Sequence, residues 1–491
     1  MSESRSVDVV VVGCGFAGLA MATHLKRSGF GSFLILERAD DIGGTWRDNT
    51  YPGAQVDVPS PLYSLSFDAA PQWSRLNAHQ AEIWEHQKRV FRTEGLAPHL
   101  RASTELVSAT WNSVASRWDL HTTRGAIACR VLVTATGHLS EPKLPPIPGI
   151  ATFQGDLMHS ARWRHDCSID GKRVAVIGSG ASAVQVIPAI VNRVDHLTVL
   201  QRSAAWCLPR NDREFSRAER RMHQRLPESL RDLREELYWS GEASVPQRHG
   251  IRGQLDRLRS AALQHLHTQV TDDELRARLL PDYEIGCKRV LRSDDYYPAM
   301  GLPNVTLDTA AISSITGRCI VTENAAHEVD VIICCTGFEV AQPPIAERLA
   351  GRDGELLSTR WRSGSRAYAT TAVHGYPNYF VMNGPNSGLG AGTSVIDIVE
   401  IQASYIRQAI DFMHDNDVSW IEVTADAEQR YVEDVERRAS GTVWLDGGCT
   451  SWYVDARSGK LTTLWPDFVS QFFRENGVFD PSAYICASAE S

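Results

Sequence analysis

The chain has 491 residues, of which 43% are hydrophobic and 22% are charged, as in globular proteins of two or three domains. Its net charge of −9 argues against a nucleic-acid surface, and no apolar run approaches the roughly 18 residues of a membrane span. The N-terminus enters a predicted strand at once, so we expect no signal peptide. The ten cysteines form no CxxC pair, so we expect a cytoplasmic protein of a reducing compartment.

The first predicted elements form a dinucleotide-binding turn. An apolar strand at Val7–Val12 leads into the sequence GCGFAG and then into a helix rich in alanine and leucine. Gly13 permits the tight turn, Gly15 lets the backbone approach a pyrophosphate, and Gly18 allows the helix to pack closely on the strand. A pyrophosphate at this position meets the positive end of the helix.

The second predicted strand, Phe33–Leu36, decides which nucleotide this turn binds. It ends at Glu37, about 20 residues after the glycines, where a carboxylate accepts hydrogen bonds from ribose hydroxyls. Because a carboxylate selects an unphosphorylated ribose, we expect FAD or NAD in this first site.

A long loop follows, with the sequence GGTWRDNTYPGAQVDVPSPLYSLSF. Its glycine, proline, asparagine and aspartate residues exclude a regular element over most of its length, and long ordered loops are often functional. A helix is predicted at Gln80–Thr93 and a buried strand at Val131–Gly137. Four prolines between Pro142 and Pro148 then mark a stiff crossing into a second domain.

The stretch Phe153–Asp166, read as FQGDLMHSARWRHD, has no clear helical or strand period, so it predicts a linker or broken helix. Its spacing resembles the fingerprint of type I Baeyer–Villiger monooxygenases, which depend on FAD and NADPH. The matching residues are Phe153, Gly155, His159 and Trp163. The family pattern usually closes with Pro or Asp, where this chain has Arg164. By itself, an ordinary interdomain connector explains the stretch equally well.

The resemblance extends to the long loop. Its GTW and YPG segments, with an aspartate four residues after the latter, are similar to a second motif of the family, which lines the flavin. In this reading the aspartate lies beside the flavin ring. The residues implied as contacts of FAD are Thr45, Trp46, Asp57 and Tyr63, with Val107 as a further expected cofactor contact. The alternative is that the aromatic residues only anchor the loop and that the aspartate forms a turn.

A second strand, turn and helix begin at Arg173–Ile177, where the turn reads GSGASA. The positions equivalent to the first three glycines are Gly178, Gly180 and Ala183. After the strand Leu197–Leu200, however, the acid is replaced by Gln201, Arg202 and Ser203. A guanidinium binds a 2′-phosphate with a bidentate, charge-assisted contact, so the first site predicts FAD and the second NADPH. The alternative is a merely solvated Arg202.

Between residues 212 and 280, charged residues among leucines at helical spacing predict a solvated helical insertion. Lys288 and Arg289 follow, where the family has a Lys-Arg pair with a catalytic arginine. The resemblance implies that Arg289 holds the peroxyflavin and that Lys288 helps to bind NADPH, although such pairs are also common on surfaces. Near the end, Trp452 resembles the family tryptophan that lies near the nicotinamide ribose, and core packing explains it equally well.

We predict an α/β fold of two doubly wound dinucleotide-binding domains. The FAD domain is built from residues 1–145 and 372–491, and the NADP domain, residues 146–371, is inserted in it and carries the helical insertion. By the resemblance, NADPH reduces FAD, the reduced flavin forms a C4a-peroxyflavin with O2, and attack on a ketone yields an ester or lactone. Arg289 would stabilise the negative charge, and Asp57 would position Arg289.

Three alternatives stay open at this point. A flavin monooxygenase that oxygenates nitrogen or sulfur keeps both cofactors, although that sister family usually lacks the fingerprint. A disulfide reductase needs a redox-active cysteine pair, and the adjacent Cys334 and Cys335 lie in an apolar strand. A flavin-binding redox sensor would need only the first site. We expect a small-molecule ketone and O2 as partners, and no metal, nucleic acid or membrane.

Overall fold

The computed structural model describes residues 5–68, 72–390 and 392–488. Its first segment builds most of one sheet and the helices that cover it. The elements of this segment are β1 (Arg5–Val12), α1 (Phe16–Arg27), β2 (Phe33–Leu36), α2 (Thr45–Asp48), α3 (Gln80–Thr93), β3 (Leu100–Arg101), β4 (Leu106–Asn112), β5 (Arg117–Thr122) and β6 (Gly125–Thr134).

The middle segment builds a second sheet and a helical region. Its elements are β7 (Asp156–His159), β8 (Arg173–Ile177), α4 (Ala183–Ile190), β9 (His196–Leu200), β10 (Cys207–Leu208), α5 (Arg217–Arg225), α6 (Pro227–Glu242), α7 (Arg252–Gln269), α8 (Asp273–Leu279), β11 (Leu291–Arg292), α9 (Tyr296–Met300), β12 (Val305–Asp308), β13 (Ile312–Thr316), β14 (Cys319–Thr322), β15 (Ala326–Glu328) and β16 (Val331–Cys334).

The last segment returns to the first sheet and ends in a small antiparallel pair of strands. Its elements are β17 (Leu349–Ala350), α10 (Leu357–Arg360), β18 (Tyr379–Val381), α11 (Val395–Asp415), β19 (Val418–Val423), α12 (Ala425–Ala439), α13 (Val443–Asp446), β20 (Val454–Asp455), β21 (Lys460–Leu461), α14 (Val469–Asn476) and β22 (Tyr484–Ser488). Short 3-10 turns lie at Ala97–His99, Ile150–Thr152, Ser160–Arg162, Val245–His249, Pro344–Arg348 and Pro481–Ala483.

The first sheet has the order β17-β4-β5-β6-β1-β2-β3, and β18 also pairs with β6. At its centre β1 pairs in parallel with both β2 and β6, and its valines are buried in core clusters on both faces of the sheet. Side chains of α1 and α11 pack on one face, and Trp111 and Trp118 pack on the other. This burial explains why β1 is a continuous apolar run instead of an alternating one.

The second sheet, β12-β9-β8-β16-β7, is parallel throughout. Its edge strand β7 comes from the fingerprint stretch, with Asp156 opposite Val331 and His159 opposite Cys334. The prediction of a linker or broken helix is therefore wrong for these four residues. Their local sequence pattern is weak, and pairing with β16 overrides it.

The chain returns to the first sheet earlier than the boundary predicted at residue 372, because Leu349 of β17 already pairs with Ala109 of β4. The helices α5 to α8 lie within the predicted insertion, and α6 contacts the long loop. Arg234 of α6 donates to the carbonyl oxygen of Ser64 at 2.7 Å and pairs with Asp397 at 2.7 Å. None of the described helices is both long enough and apolar enough to cross a membrane.

Candidate active site

A cleft opens at the carboxyl ends of β1, β2 and β6. This edge is where open α/β sheets bind ligands. The first glycine turn, the end of β2 and the start of the long loop form its walls. The lining residues include Gly13, Gly15, Glu37, Gly43, Gly44, Thr45, Trp46, Arg47, Tyr63, Leu106, Ala135 and Asn383.

The glycines of the first turn lie where side chains do not fit. Gly13 has φ +103°, and a Cβ there would lie 2.6 Å from the carbonyl oxygen of Ala135. A Cβ on Gly18 would lie 1.9 Å from the carbonyl oxygen of Gly13. A Cβ on Gly15 would meet only the Cα of Gly44, at 3.7 Å, so the backbone there is open to the cleft. The turn can therefore cradle a pyrophosphate at the start of α1.

Glu37 lies at the end of β2 and is 5% exposed. Its carboxylate accepts hydrogen bonds from the backbone N–H of Cys14 at 3.0 Å and from that of Ala39 at 3.0 Å. Arg47 pairs with the same carboxylate at 3.1 Å. The glutamate is thus held rigidly at the cleft wall, and its remaining lone pairs suit the hydroxyls of an unphosphorylated ribose.

Trp46 and Tyr63 form a joined aromatic wall of the cleft. The indole Nε1–H of Trp46 donates to the Tyr63 hydroxyl at 3.0 Å, and the rings meet edge to face at 5.7 Å. Burial raises the pKa of Tyr63 to about 12, so its hydroxyl stays protonated and can itself donate. Both predicted contacts therefore line one side of the cleft.

Asp57 and Arg289 meet in a bidentate pair, although 232 residues separate them. The Nε and Nη2 atoms of Arg289 each lie 2.8 Å from one carboxylate oxygen of Asp57. Asp57 comes from the long loop of the first fold, and Arg289 follows the insertion in the second. The pair therefore joins the two folds, and it fixes the plane of the guanidinium.

The charges around this pair keep both partners ionised. Burial works against ionisation of Asp57, but the positive charges of Arg289, Arg210 and Arg292 outweigh it and hold its pKa below the usual value. The charge of Asp57 raises the pKa of Arg289, against the opposing effect of burial. The site thus presents a fixed, permanent positive charge beside the first fold.

The second glycine turn is built like the first. Gly178 has φ +114°, and a Cβ there would lie 2.5 Å from the carbonyl oxygen of Cys335, whereas a Cβ on Gly180 would meet nothing within 4 Å. Arg202 is exposed, and the hydroxyl of Ser179 donates to the carbonyl oxygen of Ser203 at 2.6 Å. Burial first, and then the charge of Arg202, lower the pKa of Lys288. The predicted Arg202 and Lys288 therefore converge near this turn.

The fingerprint residues lie in the second sheet or pack against it. His159 is 5% exposed, its Nδ1 accepts from the Ala161 N–H at 3.1 Å, and burial lowers its pKa to about 4. A Cβ on Gly155 would lie 2.3 Å from the carbonyl oxygen of Asp330, so only glycine fits there. Phe153 and Trp163 are partly buried against the second sheet.

Neighbouring residues of the fingerprint stretch reach the long loop. Arg162 lies 3.6 Å from Asp48, and the Nε2 of His165 lies 2.8 Å from the hydroxyl of Thr50. Arg164, where the family pattern has Pro or Asp, is instead exposed and pairs with Asp156 and Asp166. The stretch therefore links the second sheet to the loop that lines the first site.

Residues 10–245 match the family model described as pyridine nucleotide-disulphide oxidoreductase. A Baeyer–Villiger monooxygenase of Streptomyces coelicolor is 43% identical over 484 residues, covering 97% of this chain and 92% of the relative. A Baeyer–Villiger monooxygenase of Pseudomonas aeruginosa is 40% identical over 485 residues, covering 98% of this chain and 92% of the relative. This chain belongs to the Baeyer–Villiger monooxygenase family.

Solved structures agree with this membership. Cyclohexanone monooxygenase from Rhodococcus sp. Phi1 bound to NADP+ has a TM-score of 0.88 and 25% identity, covering 99% of this chain and 100% of that one. Oxidized steroid monooxygenase bound to NADP has a TM-score of 0.87 and 29% identity over 99% of this chain and 100% of that chain. The predicted fold class and family are confirmed, and an enzyme that oxygenates nitrogen or sulfur is not favoured.

Two other residues of this Baeyer–Villiger monooxygenase that are predicted to contact a cofactor are less buried. The side chain of Val107 is 53% exposed, because it points away from the cleft that its neighbour Leu106 lines. Trp452 is 46% exposed, and its ring packs edge to face on Tyr453 at 4.6 Å. Core packing therefore does not account for Trp452.

The cysteines include one pair that their spacing did not reveal. Cys287, directly before Lys288, forms a disulfide with Cys449, with their Cα atoms 6.1 Å apart. The cysteine spacing predicts reduced cysteines, and that prediction is wrong for this pair. Cys334 and Cys335 are free, and burial raises the pKa of both thiols to about 12. They do not form the redox pair of a disulfide reductase.

Several residues of the site carried no signal in the sequence. Arg47 lies beside the predicted Trp46 and pairs with Glu37 in the cleft wall. Arg248 lies in the insertion whose charges indicate a solvated surface, yet it is 6% exposed. Tyr453, next to Trp452, is 1% exposed and faces Arg289 and Arg248. Their burial depends on segments that are distant along the chain.

Proposed function

We propose that this Baeyer–Villiger monooxygenase uses FAD and NADPH to insert one atom of O2 beside the carbonyl of a small-molecule ketone, giving an ester or lactone. The observation that carries the proposal is the bidentate pair of Asp57 and Arg289 between two dinucleotide folds. A fixed guanidinium at this place suits the negative charge that develops when oxygen attacks a carbonyl group.

The residues of the first cleft fit FAD. Gly13 and Gly18 exclude side chains from the turn, Glu37 offers acceptors to ribose hydroxyls, and Trp46 with Tyr63 forms an aromatic wall. A related solved structure, that of OTEMO in complex with FAD and NADP, contains both cofactors and has a TM-score of 0.87 at 26% identity. FAD, once reduced by NADPH, would supply the activated oxygen.

The residues of the second turn fit NADPH. Gly180 leaves the backbone open for a pyrophosphate, and no carboxylate follows the second strand. Arg202 and Lys288 lie close enough for the charge of one to lower the pKa of the other. Two cations that converge at such a position suit a 2′-phosphate, which brings the charge that offsets their repulsion.

The residues of the chain divide the remaining tasks. Arg289 holds a positive charge for the reacting oxygen, and Asp57 fixes the orientation of its guanidinium. His159, in the second sheet, and Trp163, which packs against it, would couple the positions of the two folds and perform no bond chemistry. The insertion, clamped to the long loop through Arg234, would help to keep water out.

The experiment is oxygen and NADPH consumption by the purified holoenzyme with a panel of ketones, sulfides and amines, with product masses determined. An ester or lactone heavier than its ketone by one oxygen, labelled from isotopic O2, is the expected result. Products from sulfides or amines alone would favour the heteroatom oxygenase. Consumption without an oxygenated product would contradict the proposal.

A further inference from the structure

Arg248 lies on the 3-10 turn Val245–His249 of the insertion, beside the candidate active site. It is 6% exposed, and a Cβ on Gly286 would lie 3.2 Å from its Nη1, so the glycine makes room for it. Its Nε donates to the carbonyl oxygen of Gly390 at 3.4 Å, and Nη1 of Arg289 donates to the preceding carbonyl at 3.5 Å. The two guanidinium groups therefore lie within about 12 Å of each other.

The charge of Arg248 lacks a counter-charge among the described residues. Within them, its side chain makes just two hydrogen bonds, the one to Gly390 and a bond of 3.5 Å to Oε1 of Gln247, and no ion pair. The pKa of Arg248 is lowered to about 10, mainly by burial and also by the charges of Arg289 and Arg292, with Tyr453 opposing the change. Because a buried, unpaired cation is costly, its retention points to an anionic ligand.

Two neutral donors near Arg248 also lack acceptors. Tyr453 is 1% exposed, and its hydroxyl, which lies beside the guanidinium of Arg289, has no acceptor for its own proton among the described residues. The indole Nε1–H of Trp444 is also unpaired in the described part of the chain, and its ring would lie 2.8 Å from a Cβ on Gly390. Two donors without acceptors and one cation without a counter-charge around one loop are evidence for a ligand that is anionic and rich in acceptors.

We propose that Arg248 and Tyr453 form a subsite for a carboxylate of the substrate, so that the preferred ketone is a keto acid. This inference rests on the proposed function. Both facing nitrogens of Arg289 are already engaged with Asp57, whereas Nη2 of Arg248 makes no hydrogen bond among the described residues and Nη1 makes only the 3.5 Å bond to Gln247, so the Nη1–Nη2 face of Arg248 is left for a ligand. A carboxylate matches that face with two parallel hydrogen bonds. The short distance between the two arginines places the ketone and the carboxylate at the ends of a short carbon chain.

The test compares linear methyl-ketone acids of increasing chain length with their methyl esters, using the holoenzyme. The measured quantity is the ratio of kcat/KM for the acid to that for the ester. We expect the wild type to prefer one acid, and the ratio to fall by roughly 10- to 100-fold in Arg248→Met, as for the loss of a charged hydrogen bond. Arg248→Lys should recover part of the ratio, and Tyr453→Phe should lower it less.

Arg252→Met is the matched control, because Arg252 is exposed on the same insertion, and its ratio should equal that of the wild type. Bound FAD and thermal unfolding show whether each variant is folded, and Arg248→Lys and Tyr453→Phe carry the test if Arg248→Met is not. Calorimetry of the acid with the oxidised holoenzyme adds a readout without turnover. Binding that is lost in the Arg248 variants supports the subsite.

The outcomes separate this inference from the proposed function. Oxidation of both acid and ester at ratios that the Arg248 and Tyr453 variants leave unchanged overturns the subsite and leaves the function intact. Equal slowing of acid and ester in Arg248→Met also overturns it, because the arginine would then serve the reacting oxygen. If the wild type oxidises no ketone, the proposed function fails, and the calorimetric comparison alone decides whether a carboxylate binds.

Discussion

The two dinucleotide folds of this enzyme share a strand, a glycine turn and a helix, but they differ in charge after the second strand. In the first fold Glu37 is 5% exposed and is held by two backbone N–H groups and Arg47. In the second fold the exposed Arg202 lies near Lys288. The shared strand, glycine turn and helix therefore suit any dinucleotide. The side chain directly after the second strand distinguishes which nucleotide each fold suits.

The folds also differ in how the helix begins. The first helix starts at Phe16, three residues after Gly13, whereas the second starts at Ala183, five residues after Gly178, so it begins two residues later. A Cβ on Gly18 would clash with the carbonyl oxygen of Gly13, but the equivalent Ala183 is fully buried without such a clash. The third position of the first turn therefore accepts only glycine, whereas that of the second turn accepts alanine.

The largest effect is expected from exchanging these two positions. Gly18→Ala would place a Cβ 1.9 Å from a backbone oxygen, so the turn must shift, and we expect destabilisation by more than about 3 kcal/mol with loss of bound FAD. Ala183→Gly, the control in the second fold, should cost about 1 kcal/mol. Flavin absorbance and thermal unfolding measure both variants. A Gly18→Ala variant with full FAD content would show that the first turn accepts alanine as the second turn does.

The next largest effect is expected from a change at Arg289, which pairs with Asp57 across the two folds. Arg289→Ala should lower ester formation by at least about 10²–10³-fold, since a fixed positive charge is lost from the reacting oxygen. Bound FAD should be retained, because the first turn and Glu37 are unchanged, and NADPH should still reduce it. Product mass and stopped-flow reduction are the measurements. A normal ester yield in this variant would make Arg289 a structural residue.

The disulfide next to the segment of Arg289 is expected to stabilise the folded protein. Cys287 and Cys449 close a loop of 162 residues, so Cys449→Ser should lower the free energy of unfolding by about 2–4 kcal/mol. Denaturant unfolding with and without a reducing agent measures this. Cys486→Ser, at an exposed free cysteine, is the control. If the reducing agent affects the wild type and Cys449→Ser alike, the disulfide contributes nothing.

Cofactor choice provides a smaller and more specific effect. Arg202→Ala should weaken the preference for NADPH over NADH by about 1.5–3 kcal/mol, as for a charged hydrogen bond. Arg193→Ala, at an exposed arginine of the same fold that pairs with Asp170, should leave the preference unchanged. Steady-state kinetics with both nucleotides decide the matter. An unchanged ratio in Arg202→Ala would place the 2′-phosphate elsewhere.

The smallest effect concerns acid and the fingerprint histidine. The pKa of His159 is about 4 in the folded protein and 6.5 in the unfolded reference, so below 6.5 the unfolded chain binds the extra proton. Stability is therefore lost as the pH falls from 6.5 towards 4. His159→Asn should reduce the loss between pH 7 and pH 5 by about 1–2 kcal/mol. His165→Asn, at an exposed histidine, should keep the wild-type profile, and an identical profile in His159→Asn would contradict the assignment.

Local chemistry could be read from the sequence by itself. The glycine turns, Glu37 and Arg202 were predictable because a turn with φ near +103° at Gly13 and a charge directly after a strand are set by neighbouring residues. The strand Phe33–Leu36 and the helix Gln80–Thr93 have the predicted bounds, because the first is a continuous apolar run and the second has apolar residues at helical spacing. The pairing of Asp57 with Arg289 was implied by the family resemblance and not by spacing.

Contacts between distant segments were decided by the tertiary structure. Strand β7 forms because β16 offers it a partner, Cys287 reaches Cys449 across 162 residues, and Arg248 is buried although its insertion has the composition of a surface. No local pattern encodes these outcomes, because burial and pairing depend on which segments the packed core brings together. The sequence thus determined which dinucleotides the two turns suit, and the packing between them determined where the charges of the site meet.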